Sequence, residues 1–204
     1  MVNLKIRIPN WVDKICAWPT MVYRKRKYGY TFRRIYLGEG EWTIVEPRDY
    51  YRLKNYNWHL GGNGKEFYAF RNVKLGPGKT KIVSMHRQIM GFPDGFLVDH
   101  QNNLTLDNRR ANLRIATHCE NAYNRAKIRS RTSSKYIGVY FEKATGRYTV
   151  KIRFNGKRLW LGRFVDEVEA AKAYDEAAKK YHGQFARLNF ANLTTETAEN
   201  AEKR

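Results

Sequence analysis

The chain has 204 residues, enough for one or two small domains with real cores. Lys and Arg number 39 against 19 Asp and Glu, a net charge of +20 that marks a polyanion as the partner. An aromatic content of 14% excludes a disordered basic protein. The two cysteines, Cys16 and Cys119, exclude CxxC zinc knuckles and a disulfide framework, and no apolar run approaches the ~18 residues of a membrane span.

In chain order, Trp11, Ile15 and Trp18 suggest a short apolar helical face ended by Pro19. Tyr23 to Arg34 is basic without an acid, and reads as a solvated strand pair or as a phosphate-contacting arm. Glu41–Val45, Phe67–Arg71 and Lys79–Met85 are rich in strand formers, separated by turn chemistry at 61–64 and 76–78. Pro47–Trp58 reads as a short helix with Pro47 in its first turn. Residues 96–128 suggest strand, irregular loop and helix. Thr117 and Glu120 form a capping box that starts the helix, with Asn121 in its second turn and Asn124 on nearly the same face.

The polar, basic stretch Arg125–Ser134 is the best domain boundary, with a linker at 128–134. Three strands are predicted beyond it, Ile137–Glu142, Tyr148–Phe154 and Lys157–Arg163, with Asn155-Gly156 as a hairpin signal. A helix from Asp166 to Tyr181 follows, with Ala170, Ala173, Tyr174, Ala177, Ala178 and Tyr181 on one small-residue face. Residues 191–204 read as a polar tail. Residues 133–190 alone hold 12 Lys and Arg against 6 acids, so the charge is not confined to one tail.

Val98-Asp99-His100, then 107–113 (Asp-Asn-Arg-Arg-Ala-Asn-Leu), then 116–124 carry the chemistry. Asp, neutral His and Asn carbonyl together can hold one hard divalent cation and one general base, which hydrolysis of a phosphodiester requires. His suits the base because it is unprotonated near neutral pH, and a side-chain acceptor such as Asn112 would fix its tautomer. Neighbours on a strand point to opposite faces, so Asp99 or His100 must sit at a strand end for both to reach one site.

The 98–124 pattern closely resembles the HNH nuclease family, specifically its phage and intron homing branch. The resemblance implies a ββα-metal (His-Me) finger over 35–127, with a β-rich N-terminal extension after a basic segment at 1–34. It makes Asp99 the metal-binding carboxylate, His100 the general base, Asn112 the residue that orients His100 through its carbonyl, and Asn121 a second metal ligand, with Asn124 a close competitor. The implied cofactor is one Mg²⁺ (or Mn²⁺) per site. His86, which also occurs in that branch, either touches the scissile phosphate or caps its strand. Arg87, Arg109, Arg110 and Arg114 are candidate phosphate clamps. His59, His118 and His182 carry no pattern.

Residues 135–190 resemble the AP2/ERF DNA-binding domain through Tyr136-Ile137-Gly138-Val139, Tyr148–Arg153, Trp160-Leu161-Gly162, Ala170–Asp175 and Leu188-Asn189-Phe190. That family lays a three-stranded sheet in the major groove with a helix behind it. Alternation supports this. With Val139, Val150, Ile152, Leu159 and Leu161 inward, Tyr140, Thr149, Lys151, Arg153, Arg158 and Trp160 face out. Lys143, Arg147 and Arg163 join them as candidate DNA contacts. Ile137, Tyr140 and Glu142 stand where plant members have Arg, so their target does not carry over.

The expected fold class is α+β: the metal finger, then a three-stranded antiparallel sheet plus one helix. The expected function is a site-specific DNA endonuclease of homing type. A DNA-binding regulator with an inactive HNH domain is the alternative, and an RNA-acting nuclease is disfavoured because side chains cannot read the deep groove of A-form RNA. The expected partner is double-stranded DNA, with no membrane and no small-molecule cofactor. The protein is expected as a monomer in the cytoplasm of a bacterium or phage-infected cell.

Overall fold

The computed structural model describes residues 9–62, 64, 66–124 and 133–190. The chain divides into two compact units, Met1–Ile115 and Ala116–Arg204. That division falls twelve residues before the 127/128 boundary read from the basic stretch, most of which lies outside the described residues. The architecture is α+β with small antiparallel sheets. Among the described residues no helix is long and apolar enough to cross a membrane.

The first unit opens with helix α1 (Asn10–Tyr28), which continues through Pro19. The expected stop at that proline does not occur. Pro19 has no N–H to give to the carbonyl one turn back, but an exposed helix leaves that carbonyl to water. The helix ends instead at Gly29, whose φ of 77° is the left-handed cap and whose N–H bonds Lys25 O at 3.0 Å. Lys25, Arg26 and Lys27 sit in the last turn, where the dipole favours cations. The first half of the basic stretch from Tyr23 to Arg34 is therefore helix, and Arg33 and Arg34 open the first strand. No residue of α1 is buried, and Trp11, Ile15 and Trp18 are exposed. Asp13 ties the helix down through Arg33 at 3.0 Å and Lys54 at 3.9 Å.

Strands β1 (Arg33–Gly38) and β2 (Glu41–Val45) form a hairpin. Helix α2 (Pro47–Leu53) starts at the expected proline and is shorter than the reading of 47–58. A second sheet of order β3-β4-β5 contains β3 (His59–Gly62), β4 (Phe67–Gly76) and β5 (Lys79–Ser84). Its first strand was not foreseen, because Gly61 and Gly62 read as turn. Helix α3 (Met85–Ile89) then replaces the expected run-on of strand into His86. Strand β6 (Leu97–His100) pairs with β7 (Leu113–Ala116). Ile35, Leu37, Val45, Leu53, Trp58, Met85 and Ile89 form the core of this unit. Each such side chain, once buried, contributes roughly 1.5–3 kcal/mol.

The second unit holds helix α4 (His118–Tyr123), strands β8 (Val139–Glu142), β9 (Arg147–Phe154) and β10 (Lys157–Phe164), and helix α5 (Glu167–His182). The sheet is antiparallel in the order β10-β9-β8. Asn155 (φ 47°) and Gly156 (φ 77°) make the two-residue turn that Asn-Gly foretold. Val139, Val150, Ile152, Ala170, Ala171, Tyr174 and Ala178 form its core. The buried face of α5 also takes in Asp175 and His182, which the alanine pattern did not include. Asp175 accepts from the Asn189 N–H at 2.8 Å and the Phe190 N–H at 2.9 Å, and Asn189 in turn grips Ile137 N at 2.6 Å. This ties Asn189 and Phe190 to α5 and to the residues just before the sheet.

Candidate functional site

The capping box at α4 is complete: Thr117 Oγ1 accepts from Glu120 N at 3.2 Å, and Glu120 Oε2 accepts from Thr117 N at 2.7 Å. Asn121 follows on that helix and is half-buried, while Asn124 is its buried C-cap residue. Both belong to the second unit. There Tyr123 stacks on His182, with centroids 3.8 Å apart and planes 6° from parallel, and its hydroxyl accepts from the Asn155 N–H. The α4 helix thus packs on the sheet-and-helix unit that follows it. His182 is structural: its Nε2 donates to Arg153 O at 2.7 Å, and burial pushes its pKa down.

In the first unit, β6 ends at His100, so Asp99 and His100 are both buried although adjacent on a strand. The strand-end requirement read from the sequence is met. His100 Nε2 lies 3.2 Å from Asn108 Oδ1. The polar chain behind Asn108 fixes which atoms face which. Thr43 Oγ1 donates to Leu106 O at 2.7 Å, so it accepts from Asn108 Nδ2 at 2.8 Å. Asn108 therefore turns its carbonyl oxygen to His100, Nε2 carries the proton, and Nδ1 is the basic nitrogen of the neutral ring.

We expected the Asn112 carbonyl on His100. Asn112 Oδ1 instead accepts from Asn102 N at 3.0 Å, and its Nδ2 donates to Asp107 O at 2.8 Å. Asn112 holds the loop that follows β6, and Asn108 holds the histidine. The sequence signal was present, since 107–113 contains both asparagines, but spacing alone did not say which one faces inward. The loop is docked by Ile44, whose N–H and C=O pair with Leu106 O and Asn108 N.

His86, at the start of α3, is brought beside His100, with ring centroids 5.2 Å apart in an edge-on arrangement. Tyr68 lies against both rings, at 5.7 and 6.1 Å. Burial first, then the neighbouring His100 and Arg87, push the His86 pKa down to about 3. Burial also lowers the His100 pKa. The Asn108 hydrogen bond and the charges of Asp99 and Asp107 pull the other way without reversing it.

The three arginines of the motif are engaged by buried acids. Arg114 Nε and Nη2 both reach Asp99 Oδ2, at 2.8 and 2.6 Å. Arg109 forks onto Asp107 at 2.7 and 2.5 Å and lies 3.4 Å from the Tyr30 ring centroid. Arg110 forks onto Asp49 at 2.8 and 3.0 Å. Arg87 donates to Phe96 O and Pro93 O. These side chains hold the loops around the histidines, Arg109, Arg110 and Arg114 through buried carboxylates and Arg87 through backbone carbonyls. A guanidinium already bidentate on a buried carboxylate cannot leave without stranding that charge.

On the sheet of the second unit, register puts Tyr140, Thr149 and Arg163 in one cross-strand row, Lys151 beside Trp160, and Arg153 beside Arg158. Tyr140 and Trp160 are 46% and 62% exposed, and Lys143, Arg147, Lys151, Arg153, Arg158 and Arg163 are exposed as well. Thr149 lies on this outer face as expected and lines the groove over it, but is buried between its longer neighbours. Its hydroxyl has no hydrogen-bond partner among the described residues. An open groove of 610 Å³ runs over this face, and Arg163 pairs with Glu142 at 3.1 Å along its edge.

Comparison with known proteins finds two families along the chain, the first match running across the 115/116 division between the units. Residues 87–123 match the HNH endonuclease family, and residues 134–184 match the AP2 domain family. An uncharacterized HNH endonuclease of Acanthamoeba polyphaga mimivirus is 28% identical over 158 residues, 74% of this chain and 76% of that protein. Dehydration-responsive element-binding protein 2C of Arabidopsis thaliana is 46% identical over 68 residues, 32% of this chain and 20% of that protein. An AP2/ERF and B3 domain-containing protein of Oryza sativa subsp. japonica is 41% identical over 74 residues, 36% of this chain and 20% of that protein. The chain thus spans about a fifth of the plant relatives' length. It carries an HNH endonuclease domain followed by an AP2 DNA-binding domain.

Proposed function

We propose that the protein is a site-specific DNA endonuclease of homing type, which hydrolyses a phosphodiester by a one-metal HNH mechanism while the AP2 sheet holds the duplex. The observation that carries this is the buried His100, which with Asp99 and Asn108 lies inside the segment that matches the HNH family, its tautomer set by Asn108 and the ring of His86 beside it.

The donors present fit a hard cation. Among the described residues no group of three His, Cys, Asp or Glu is gathered that could hold a metal ion, so most of such a cation's coordination would come from water and phosphate oxygens. Asp99 offers a buried carboxylate, an oxygen donor of the kind that suits Mg²⁺ or Mn²⁺ completed by water. Such a cation, when bound, would neutralise a non-bridging phosphate oxygen and the leaving 3′ oxygen. His100 Nδ1 takes the proton of the attacking water as its oxygen bonds to phosphorus and the bond to the 3′ oxygen breaks. Arg114 acts as a positioning residue, aiming the Asp99 carboxylate. His86, uncharged over the working pH range, offers a ring N–H to the scissile phosphate.

The exposed Arg, Lys and Trp of the second unit supply the duplex contact. Replacing both Arg153 and Arg158 by Ala should weaken duplex binding and flatten the slope of log affinity against log salt by about 2, one for each phosphate no longer neutralised. Titration at several salt concentrations checks this, and an unchanged slope would take both residues out of the DNA interface.

The Arg114–Asp99 pair favours a second reading, a DNA-binding regulator whose nuclease is silent. Plasmid and phage DNA incubated with Mg²⁺, with and without EDTA, separate the two. Metal-dependent cutting supports the endonuclease, with nicks expected because one finger cuts one strand. Tight, salt-dependent binding without cutting supports the regulator.

A further inference from the structure

We propose a second nucleic-acid site in the first unit: a groove on the outer side of the β1–β2 hairpin that takes an unstacked base of single-stranded DNA. The inference rests on the reading of the protein as a DNA enzyme, and concerns a surface apart from both the histidine site and the AP2 sheet.

Alternation along β1 sends Ile35 and Leu37 into the core and leaves Arg34 and Tyr36 outside. Tyr36 stands opposite Trp42 of β2 in register. The two rings meet at 4.9 Å and 54°, a tilted pair, and remain 51% and 47% exposed. A cavity of 480 Å³ lies along them, lined also by Lys54, Tyr56 and His59. Tyr56 is fixed in place: the Arg71 guanidinium lies 4.0 Å from its ring centroid and is itself held by Gln88 Oε1 at 3.0 Å.

Three half-exposed aromatic rings around one groove are a large apolar outlay for a chain this basic. The groove lining contains no Asp or Glu. Arg34 makes no ion pair among the described residues, and Lys54 shares Asp13 only at 3.9 Å. A nucleotide is the ligand that joins a flat π face to a negative charge, so its base stacks on the rings while its phosphate meets Arg34 and Lys54. A duplex keeps its bases stacked on each other, so ring faces of this kind select unpaired strands. A proline-rich peptide also docks in aromatic grooves, but has no use for the two cations.

Fluorescence anisotropy of a labelled oligothymidylate, a labelled duplex and a labelled proline-rich peptide tests this with the full chain. The variants are Tyr36→Ala/Trp42→Ala, Trp42→Phe and Arg34→Glu, each checked by its melting curve. The double alanine variant should bind the oligothymidylate roughly tenfold more weakly, with duplex affinity unchanged. Trp42→Phe should retain most of the binding, and Arg34→Glu should weaken it. Unchanged oligothymidylate affinity in the alanine and Arg34→Glu variants, an equal loss on the duplex, or peptide binding abolished in the double variant would each overturn the proposal. Failure of the wild type to bind duplex would instead overturn the DNA-enzyme reading, which the oligothymidylate arm reports independently.

Discussion

Replacing His100 by Ala should lower DNA cleavage by roughly 10²–10⁴-fold, the contribution of a positioned general base, while duplex affinity stays near that of the wild type. The ring is buried, its Nε2 proton is held by Asn108, and its other nitrogen is the basic one. Removing it also strands the Asn108 carbonyl, which costs about 1–3 kcal/mol of stability, so the variant's melting curve must accompany the assay. Cleavage within a few-fold of wild type would remove His100 from the mechanism.

The same burial sets the pH dependence. Desolvation holds the His100 pKa below its ordinary 6.5, so the base stays neutral in mildly acidic buffer. The acid limb of the cleavage profile should therefore lie below the usual histidine range. Stability follows the same sign. His86 titrates near 3 in the folded chain and near 6.5 unfolded, and His100 shifts in the same direction. As pH falls, the unfolded chain takes up these protons first. The stability from burying neutral imidazoles is thus complete above about pH 6.5 and is lost progressively as pH falls toward 3. Melting temperatures across that window check the sign; a rise on acidification would contradict it.

Gly138→Ala should destabilise the second unit by about 2–5 kcal/mol. Gly138 precedes β8 with φ at 74°, a left-handed conformation that costs a residue with a Cβ roughly 1–2 kcal/mol. A methyl group there would overlap the ring of buried Tyr174 on α5 and lie 2.9 Å from the Lys151 carbonyl. The ring cannot retreat into a close-packed core, and overpacking of this kind costs about a further 1–3 kcal/mol. Small domains are stable by only about 5–15 kcal/mol, so the loss is a large share. The Lys151 N–H bond to Gly138 O at 3.0 Å loosens with it, at the strand that carries the exposed Lys151 and Arg153. Thermal melts should show the drop, and duplex affinity should fall with it. A change of less than about 1 kcal/mol would mean that α5 does not press on β8 at this glycine.

Much of the second unit was readable because its signals are local. The Asn155-Gly156 turn, the alternation along β9 and β10 and the alanine face of α5 each rest on neighbours in sequence, and each element appears within a few residues of its expected span. The capping box at Thr117 was readable for the same reason. Helix α1 was misread because Pro19 looks like a stop, whereas an exposed helix tolerates it. Strand β3 was missed because its glycines owe their extended form to pairing with Tyr68 and Phe67, which no local pattern announces.

By itself the sequence determined the chemistry on offer: an Asp-His pair, asparagines, and a basic, aromatic chain with two differently patterned halves. Only the tertiary structure decided how those groups are used. Asn108 rather than Asn112 meets His100 because Thr43, far away in sequence, turns the amide. Arg109, Arg110 and Arg114 face acids rather than solvent because Asp107, Asp49 and Asp99 are buried and require partners. Local rules fix which residues alternate or cap. Hydrogen bonds and ion pairs between distant segments form only where folding removes water, and their partners are invisible to spacing along the chain.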